Sequence, residues 1–202
     1  MHGSAQTAGA ELLVSRCNLG EPCIIGELKA GDLTRDETEQ IDRIFLEASG
    51  RIFASQAELA DFRERWLGRY LHGGTDVLLV ARDCRQSIAG YLVGALDDPA
   101  EQTRFADLPY FRGEFRDFCQ AYPAHLHINL APAARRKGLG GRLIEAFAVR
   151  ARTAGAAGMH VVTGREARNV SFYTRCGFTL LGAAPRNGGE VVFLGRRLHF
   201  PA

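Results

Sequence analysis

Ile128-Asn129-Leu130-Ala131-Pro132-Ala133-Ala134-Arg135-Arg136-Lys137-Gly138-Leu139-Gly140-Gly141-Arg142-Leu143 passes from an alternating strand through a basic, glycine-containing loop into an amphipathic helix. Such a junction suits phosphate. The first N–H groups of a helix lack intrahelical partners and carry the positive end of the macrodipole, so they donate to an anion that comes close. Gly138 and Gly140 have no Cβ to block that approach, and Arg135, Arg136 and Lys137 add cationic side chains. Two other phosphate motifs are excluded. A dinucleotide fingerprint requires a third glycine where Leu143 stands, and a Walker loop requires Lys-Ser or Lys-Thr after its glycines. A Gly-x-Gly at a helix start is, by itself, equally compatible with a structural turn.

Working outward, His125, His127 and Asn129 alternate with Leu126, Ile128 and Leu130, the period of a strand. Gly140 to Thr153 places Leu143, Ile144, Phe147 and Ala151 on one helical face. Downstream, Met159 to Thr163 reads as a strand and Asn169 to Arg175 as a short helix. Phe178 to Ala183 and Glu190 to Leu198 then form a closing hairpin around Asn187-Gly188. Upstream, Ile24 to Leu28 is a strand, and Thr34 with Glu37 forms a capping box for a helix through about Ala48. The signal recurs at Ser55 and Glu58, after which Leu59, Phe62, Trp66 and Tyr70 keep helical spacing until Gly73-Gly74. Trp66 and Phe147 lie on these stripes and are expected to be buried. Asp76 to Ala81 and Ser87 to Ala95 read as a hairpin, and a loop with a short helix around Phe111 to Gln120 follows. The order implies a mixed α/β fold: a mostly antiparallel sheet of about seven strands with helices on both faces. Residues 1–9 read as a flexible tail and 10–202 as one domain.

Composition narrows the class. With 202 residues, 46% hydrophobic and 24% charged, the chain is typical of soluble globular proteins, and a net charge of +2 carries no nucleic-acid signal. Five cysteines at irregular separations predict reduced thiols rather than a disulfide framework, hence a cytoplasmic protein. No apolar run reaches the roughly 20 residues of a membrane helix, and no signal peptide is evident, so no membrane partner is expected.

The loop resembles the acetyl-CoA signature of the GNAT superfamily of N-acetyltransferases: a strand ending apolar-x-Pro, then Arg or Gln, two residues, Gly, one residue, and Gly or Ala. Leu130, Pro132, Arg135, Gly138 and Gly140 fall in register. A second family element stands at Phe172-Tyr173-Thr174-Arg175-Cys176-Gly177-Phe178. The resemblance covers residues 76–198 well and the N-terminal helices by element order. More narrowly, Tyr122-Pro123-Ala124-His125-Leu126-His127-Ile128 is similar to bacterial relatives of the acetyltransferase-like C-terminal domain of O-GlcNAcases. Those relatives often carry an acid where Asn129 sits, and most of the superfamily has Asn where this chain has Glu166; Asn169 takes the later polar position. Both departures bear on acceptor specificity.

The resemblance implies the GNAT fold, acetyl-CoA as co-substrate, and direct attack by an amine acceptor, a small molecule or a peptide, in a monomer or homodimer. It implies cofactor contacts at Ile128, Leu130, Arg135, Arg136, Lys137, Gly138, Leu139, Gly140, Gly141, Asn169, Phe172 and Tyr173. The Leu130 N–H is the implied donor to the thioester oxygen and Tyr173 the implied general acid. His125, His127, Glu166 or water is the candidate base. The His-x-His pair alone does not make a metal site, because no third ligand is placed by sequence, and no metal is expected. Asp97, Asp98, Glu101 and Asp107 form an acidic loop that is either solvated or attracts a cationic acceptor. The alternative to an enzyme is an acyl-CoA-binding pseudo-acetyltransferase without catalytic activity.

Overall fold

A computed structural model describes residues 13–16, 22–72, 76–186 and 188–198; the expected tail at 1–9, the Gly73-Gly74 stop and Asn187 lie outside the described residues. The strands are β1 (Leu13–Arg16), β2 (Pro22–Leu28), β3 (Asp76–Arg82), β4 (Ile88–Ala95), β5 (Ala124–Leu130), β6 (Gly158–Gly164), β7 (Thr179–Arg186) and β8 (Gly189–Arg197). They form one sheet in the order β1-β2-β3-β4-β5-β6-β8-β7. Every pairing is antiparallel except β5 with β6. Seven of these strands match the sequence reading. The eighth, β1, is a four-residue edge strand too short to show a period.

Helices α1 (Arg35–Ser49), α2 (Gln56–Trp66), α3 (Arg116–Ala121), α4 (Leu139–Thr153) and α5 (Val170–Arg175) flank the sheet. The capping box at α1 is complete: the Glu37 N–H donates to Thr34 Oγ1 (3.2 Å), and the Thr34 N–H donates to Glu37 Oε2 (2.9 Å). Gly50, in the left-handed region at φ 60°, ends the helix. At α2 the Glu58 N–H donates to Ser55 Oγ (3.1 Å), but the Glu58 carboxylate reaches back to the Ala54 N–H instead of the cap residue's own. The helix expected around Phe111 to Gln120 is shorter, because a 3-10 turn at Pro109–Phe111 precedes α3.

Strand alternation sends side chains into two cores. Val77, Leu79, Leu92 and Leu126 pack under α4, which buries Leu139, Leu143, Ile144, Phe147, Ala148 and Ala151. Each fully buried aliphatic or Phe side chain contributes roughly 1.5–3 kcal/mol. On the opposite face Leu78, Val80, Tyr91, Val93 and Phe193 meet Ile41, Ile44 and Phe45 of α1 and the aromatics Tyr70, Phe105, Phe111 and Phe115. Phe147 is buried as expected. Trp66 is mainly buried too, packed against this second core but with part of its ring exposed, and α2 contributes no fully buried residue. Its apolar stripe packs against that core and also borders a cavity.

Candidate active site

The site starts from a break in the sheet. The Ala131 N–H donates to the Ala89 carbonyl (3.0 Å), which fixes the phase of the β4–β5 ladder. Asn129, His127 and His125 therefore bond to β4, while Leu126, Ile128 and Leu130 turn their N–H and C=O groups to the other edge. On that edge β6 pairs with β5 only at Ala124↔Met159 and His125↔His160. Beyond His125 the strands splay. The main-chain groups of Ile128 and Leu130 thus open into a gap, except that the Leu130 carbonyl accepts from Arg135 Nε (3.1 Å).

Directly after β5 the chain makes a 3-10 turn, Pro132–Ala134, and enters α4 through Gly138 at φ 79°. No side chain caps α4, so its first N–H groups face the loop uncovered. A Cβ on Gly138 would meet no atom within 4 Å, so the left-handed backbone, not crowding, calls for glycine there. Gly140 behaves differently. It is buried, and a Cβ would stand 3.0 Å from the Phe172 ring and 3.4 Å from Leu130 Cδ1. Its missing side chain lets α4 close onto α5 and β5. Leu139 likewise turns its side chain into the core at 1% exposure, leaving only its backbone for a ligand. Arg135 and Arg136 are exposed, and Gly141 has open space around it.

A cavity of about 160 Å³ opens at the splay, lined by Phe62, Trp66, His127, Asn129, Asn169 and Tyr173 among others. Tyr173 belongs to the α4-side core and His127 to the opposite face; the gap between β5 and β6 brings them together. The Tyr173 hydroxyl makes no hydrogen bond to a described residue, and burial pushes its pKa well above the ordinary phenol value. Asn129 Nδ2 donates to the Tyr91 hydroxyl (2.9 Å), which anchors its side chain. Asn169 Oδ1 accepts from Thr163 Oγ1 (3.0 Å).

Of the candidate bases, only His127 lines this cavity. Its ring is edge-on to Trp66 (5.4 Å between centroids) and Tyr70 (5.3 Å), and desolvation, with Arg69 adding to it, lowers its pKa to about 4. His125 is sealed at 3% exposure, with Nδ1 3.1 Å from the Tyr70 hydroxyl and the ring stacked on His160. Glu166 is exposed in the turn after β6, outside the cavity lining. Among the described residues no group of three or more His, Cys, Asp or Glu is arranged to hold a metal ion.

The acidic loop is internally neutralised. Asp98 and Glu101 pair with Arg116, Asp97 with Arg104, and Asp107 with both Arg65 (2.8 Å) and Arg69 (2.9 Å). None of these acids lines the cavity. Two contributions escaped the sequence reading. Phe45 and Ser49 of α1 reach the cavity wall, and Arg186 at the β7–β8 tip lies over Trp66 with its guanidinium 5.1 Å from the ring. Neither carries a local signal, since both depend on contacts between distant segments.

Comparison with known proteins agrees with this geometry. The family model of the acetyltransferase (GNAT) domain matches residues 74–180, just over half of the chain, and the chain belongs to that family. Among solved structures, SsHAT is similar at a TM-score of 0.62 and 21% identity, over 87% of this chain and 99% of that one. A phosphinothricin acetyltransferase (Pat) from Sinorhizobium meliloti, solved in complex with AcCoA, has a TM-score of 0.56 at 22% identity, covering 87% of this chain and 88% of its own. A GCN5-related N-acetyltransferase from Kribbella flavida has a TM-score of 0.55 at 16% identity, covering 86% and 98%. At these identities the likeness establishes a shared fold.

Proposed function

We propose that this GNAT domain, residues 10–202, moves an acetyl group from acetyl-CoA to an amine acceptor by direct attack. The carrying observation is the splay of β5 from β6 beside the uncapped start of α4, with Tyr173 lining the cavity there and its hydroxyl without a hydrogen bond to a described residue. The fit is chemical. The free edge of β5 offers alternating donors and acceptors to the amide groups of a pantetheine arm, and the α4 N-terminus with Arg135, Arg136 and Lys137 offers donors and charge to a pyrophosphate. Ile128, Leu130, Gly138, Leu139 and Gly141 contribute backbone, Gly140 and Phe172 the packing that holds the loop, and Asn169 a polar wall.

In this reading the Leu130 N–H donates to the thioester oxygen as charge develops there, an interaction of a kind that contributes on the order of 10² to 10³ in rate. Tyr173 then donates to the departing sulfur. A phenol near 10 is already about 2 kcal/mol too weak an acid to protonate a thiolate of about 8.5 fully, and burial weakens it further. Its role is therefore a hydrogen bond that strengthens as the thiolate forms. His127, neutral at physiological pH, accepts a hydrogen bond from the incoming amine and orients it; with a pKa of about 4 it is a poor final proton acceptor, so water in the cavity carries the proton away. The similarity of Tyr122 to Ile128 to bacterial relatives of the O-GlcNAcase C-terminal domain is the finer assignment within this proposal. A cytoplasmic location belongs to it too, supported by the unbridged thiols Cys119 and Cys176 and by the absence, among the described residues, of a helix long and apolar enough to cross a membrane.

The test is free CoA release across a panel of primary amines, amino sugars, amino acids and lysine peptides, run beside calorimetric titration with acetyl-CoA. Binding with release supports an acetyltransferase. Binding without release from any acceptor identifies a pseudo-acetyltransferase, and no binding overturns the site.

A further inference from the structure

The arginines around the aromatic wall of the cavity are accounted for by carboxylates, with one exception. Arg51 pairs with Glu58 (3.1 Å), Arg63 with Asp42 (2.8 Å), and Arg65 and Arg69 share Asp107. Arg186 has no ion pair among the described residues. It is half-buried at the end of β7, with its guanidinium 5.1 Å from the Trp66 ring and 5.7 Å from the Tyr110 ring. Two aromatic faces hold the group by cation–π attraction while leaving its in-plane N–H donors without a carboxylate. Partial desolvation makes an unpaired guanidinium costly, and an anionic ligand would remove that cost.

Its position gives the cation a use. Trp66 lines the 160 Å³ cavity and also carries Arg186 over its ring. Arg186 in turn lines an open cleft of about 810 Å³ between the β7–β8 tip and the loop around Pro109, with Arg65, Asp107, Tyr110 and Glu114. The one indole thus contacts both His127, which lines the cavity, and Arg186, which lines the cleft. We propose that Arg186 is a specificity-determining residue that binds the carboxylate of the acceptor, so that the preferred substrates are amines that also bear a carboxylate. This inference rests on the acetyltransferase reading of the cavity. The planar fork of Arg matches a carboxylate in two parallel bonds, and the aromatic wall of Phe62 and Trp66 suits an apolar body between the two ends.

The experiment compares matched acceptors that differ only by the carboxylate: L-phenylalanine against phenethylamine, L-leucine against 3-methylbutylamine, and 4-aminobutyrate against propylamine. CoA release is measured with wild type and with Arg186→Gln at saturating acetyl-CoA. In the ratio of the two proteins' preferences the intrinsic reactivity of each amine cancels. The expected result is a loss on the order of 10- to 100-fold in kcat/KM for at least one carboxylate-bearing acceptor, mainly through KM, with its carboxylate-free partner unchanged. Equal losses for both members of each pair would make Arg186 a structural tether of the hairpin and overturn the proposal, as would a preference for the carboxylate-free amines that the variant retains. Arg186→Lys, which keeps the charge but not the fork, should fall between the two. Calorimetry with acetyl-CoA separates the two levels of failure. A protein that binds acetyl-CoA yet releases CoA with none of the six acceptors refutes the carboxylate assignment alone, whereas one that does not bind acetyl-CoA refutes the acetyltransferase reading on which it stands.

Discussion

The two faces of the sheet are assembled by different rules. Under α4 the core is mostly aliphatic and comes from regular elements: one helix buries Leu139, Leu143, Ile144, Phe147 and Ala151 at its own period, over strand residues that alternate. The opposite face draws Tyr70, Phe105, Phe111, Phe115 and Phe193 from five separate segments and encloses His125 and His160 among them. Its helix α2 buries nothing fully. The first face is a scaffold that fixes the loop proposed to hold the cofactor. The second leaves part of its aromatic surface uncovered at the cavity proposed for the acceptor, and that opening is incompatible with close packing.

The sharpest way to break this contrast is to truncate one aromatic on each side. Phe147→Ala should cost about 3–5 kcal/mol in denaturant unfolding, since a fully enclosed ring leaves a cavity that the surrounding helix and strands cannot fill. Trp66→Ala should cost only about 1–2 kcal/mol, because the half-buried indole loses less area, while turnover falls more than stability. Equal losses at the two positions would show that α2 is core after all.

The histidines give a second lever, confined to the acceptor-side face. Burial lowers the pKa of His127 to about 4 and of His160 to about 3, and holds His125 well below its ordinary 6.5. A group whose folded pKa is depressed in this way binds fewer protons in the native than in the unfolded chain, so stability present above about pH 6.5 is lost as pH falls. Each histidine contributes up to about 1.4 kcal/mol per pH unit at the steepest. Unfolding free energy should thus drop by roughly 5–6 kcal/mol between pH 7 and 5, nearly 2 from each of the three histidines. The lowered carboxyls of Glu37 and Asp107 act only below that window, since even their ordinary values are 4.5 and 3.8. A flat profile from pH 7 to 5 would mean that these imidazoles are hydrated.

Across the gap, Tyr173→Phe tests the chemistry where the two faces meet. The ring keeps its packing against Phe172 and Phe178, so acetyl-CoA affinity should persist. The hydroxyl acts only as charge gathers on sulfur, and kcat should fall on the order of 10² or more. Wild-type turnover in this variant, under conditions where chemistry limits, would make Tyr173 structural.

The same asymmetry explains what was legible in the sequence. The strand, loop and helix from Ile128 to Thr153 are specified locally, by alternation, glycine and a 3.6-residue period, and seven strands were readable from patterns of that kind. The choice among His125, His127 and Glu166 was not legible, because it depends on how far β6 pairs along β5, a register that no single segment encodes. That Trp66 also borders a cavity was not legible for a related reason: a helical stripe looks alike whether it meets a core alone or a core and a cavity. Arg186 lacked any signal, since its significance lies in the carboxylate it does not meet.

The smallest expected effect concerns the loop itself and separates its two central glycines. Gly138 needs a left-handed backbone but has open space, whereas Gly140 needs the space that Phe172 and Leu130 occupy. Asn tolerates the left-handed region and β-branched residues do not, so Gly138→Asn should leave acetyl-CoA affinity close to wild type. Gly138→Val strains the backbone by an amount on the order of 1–3 kcal/mol, which the loop relieves by leaving the conformation that presents the α4 N–H groups. Affinity should then weaken by about tenfold, with the fold kept, because a Cβ at this position collides with nothing. Calorimetric titration of both variants checks it. If Val binds acetyl-CoA as well as Asn does, the α4 N-terminus is not where the pyrophosphate rests, and the open edge of β5 would have to account for the affinity by itself.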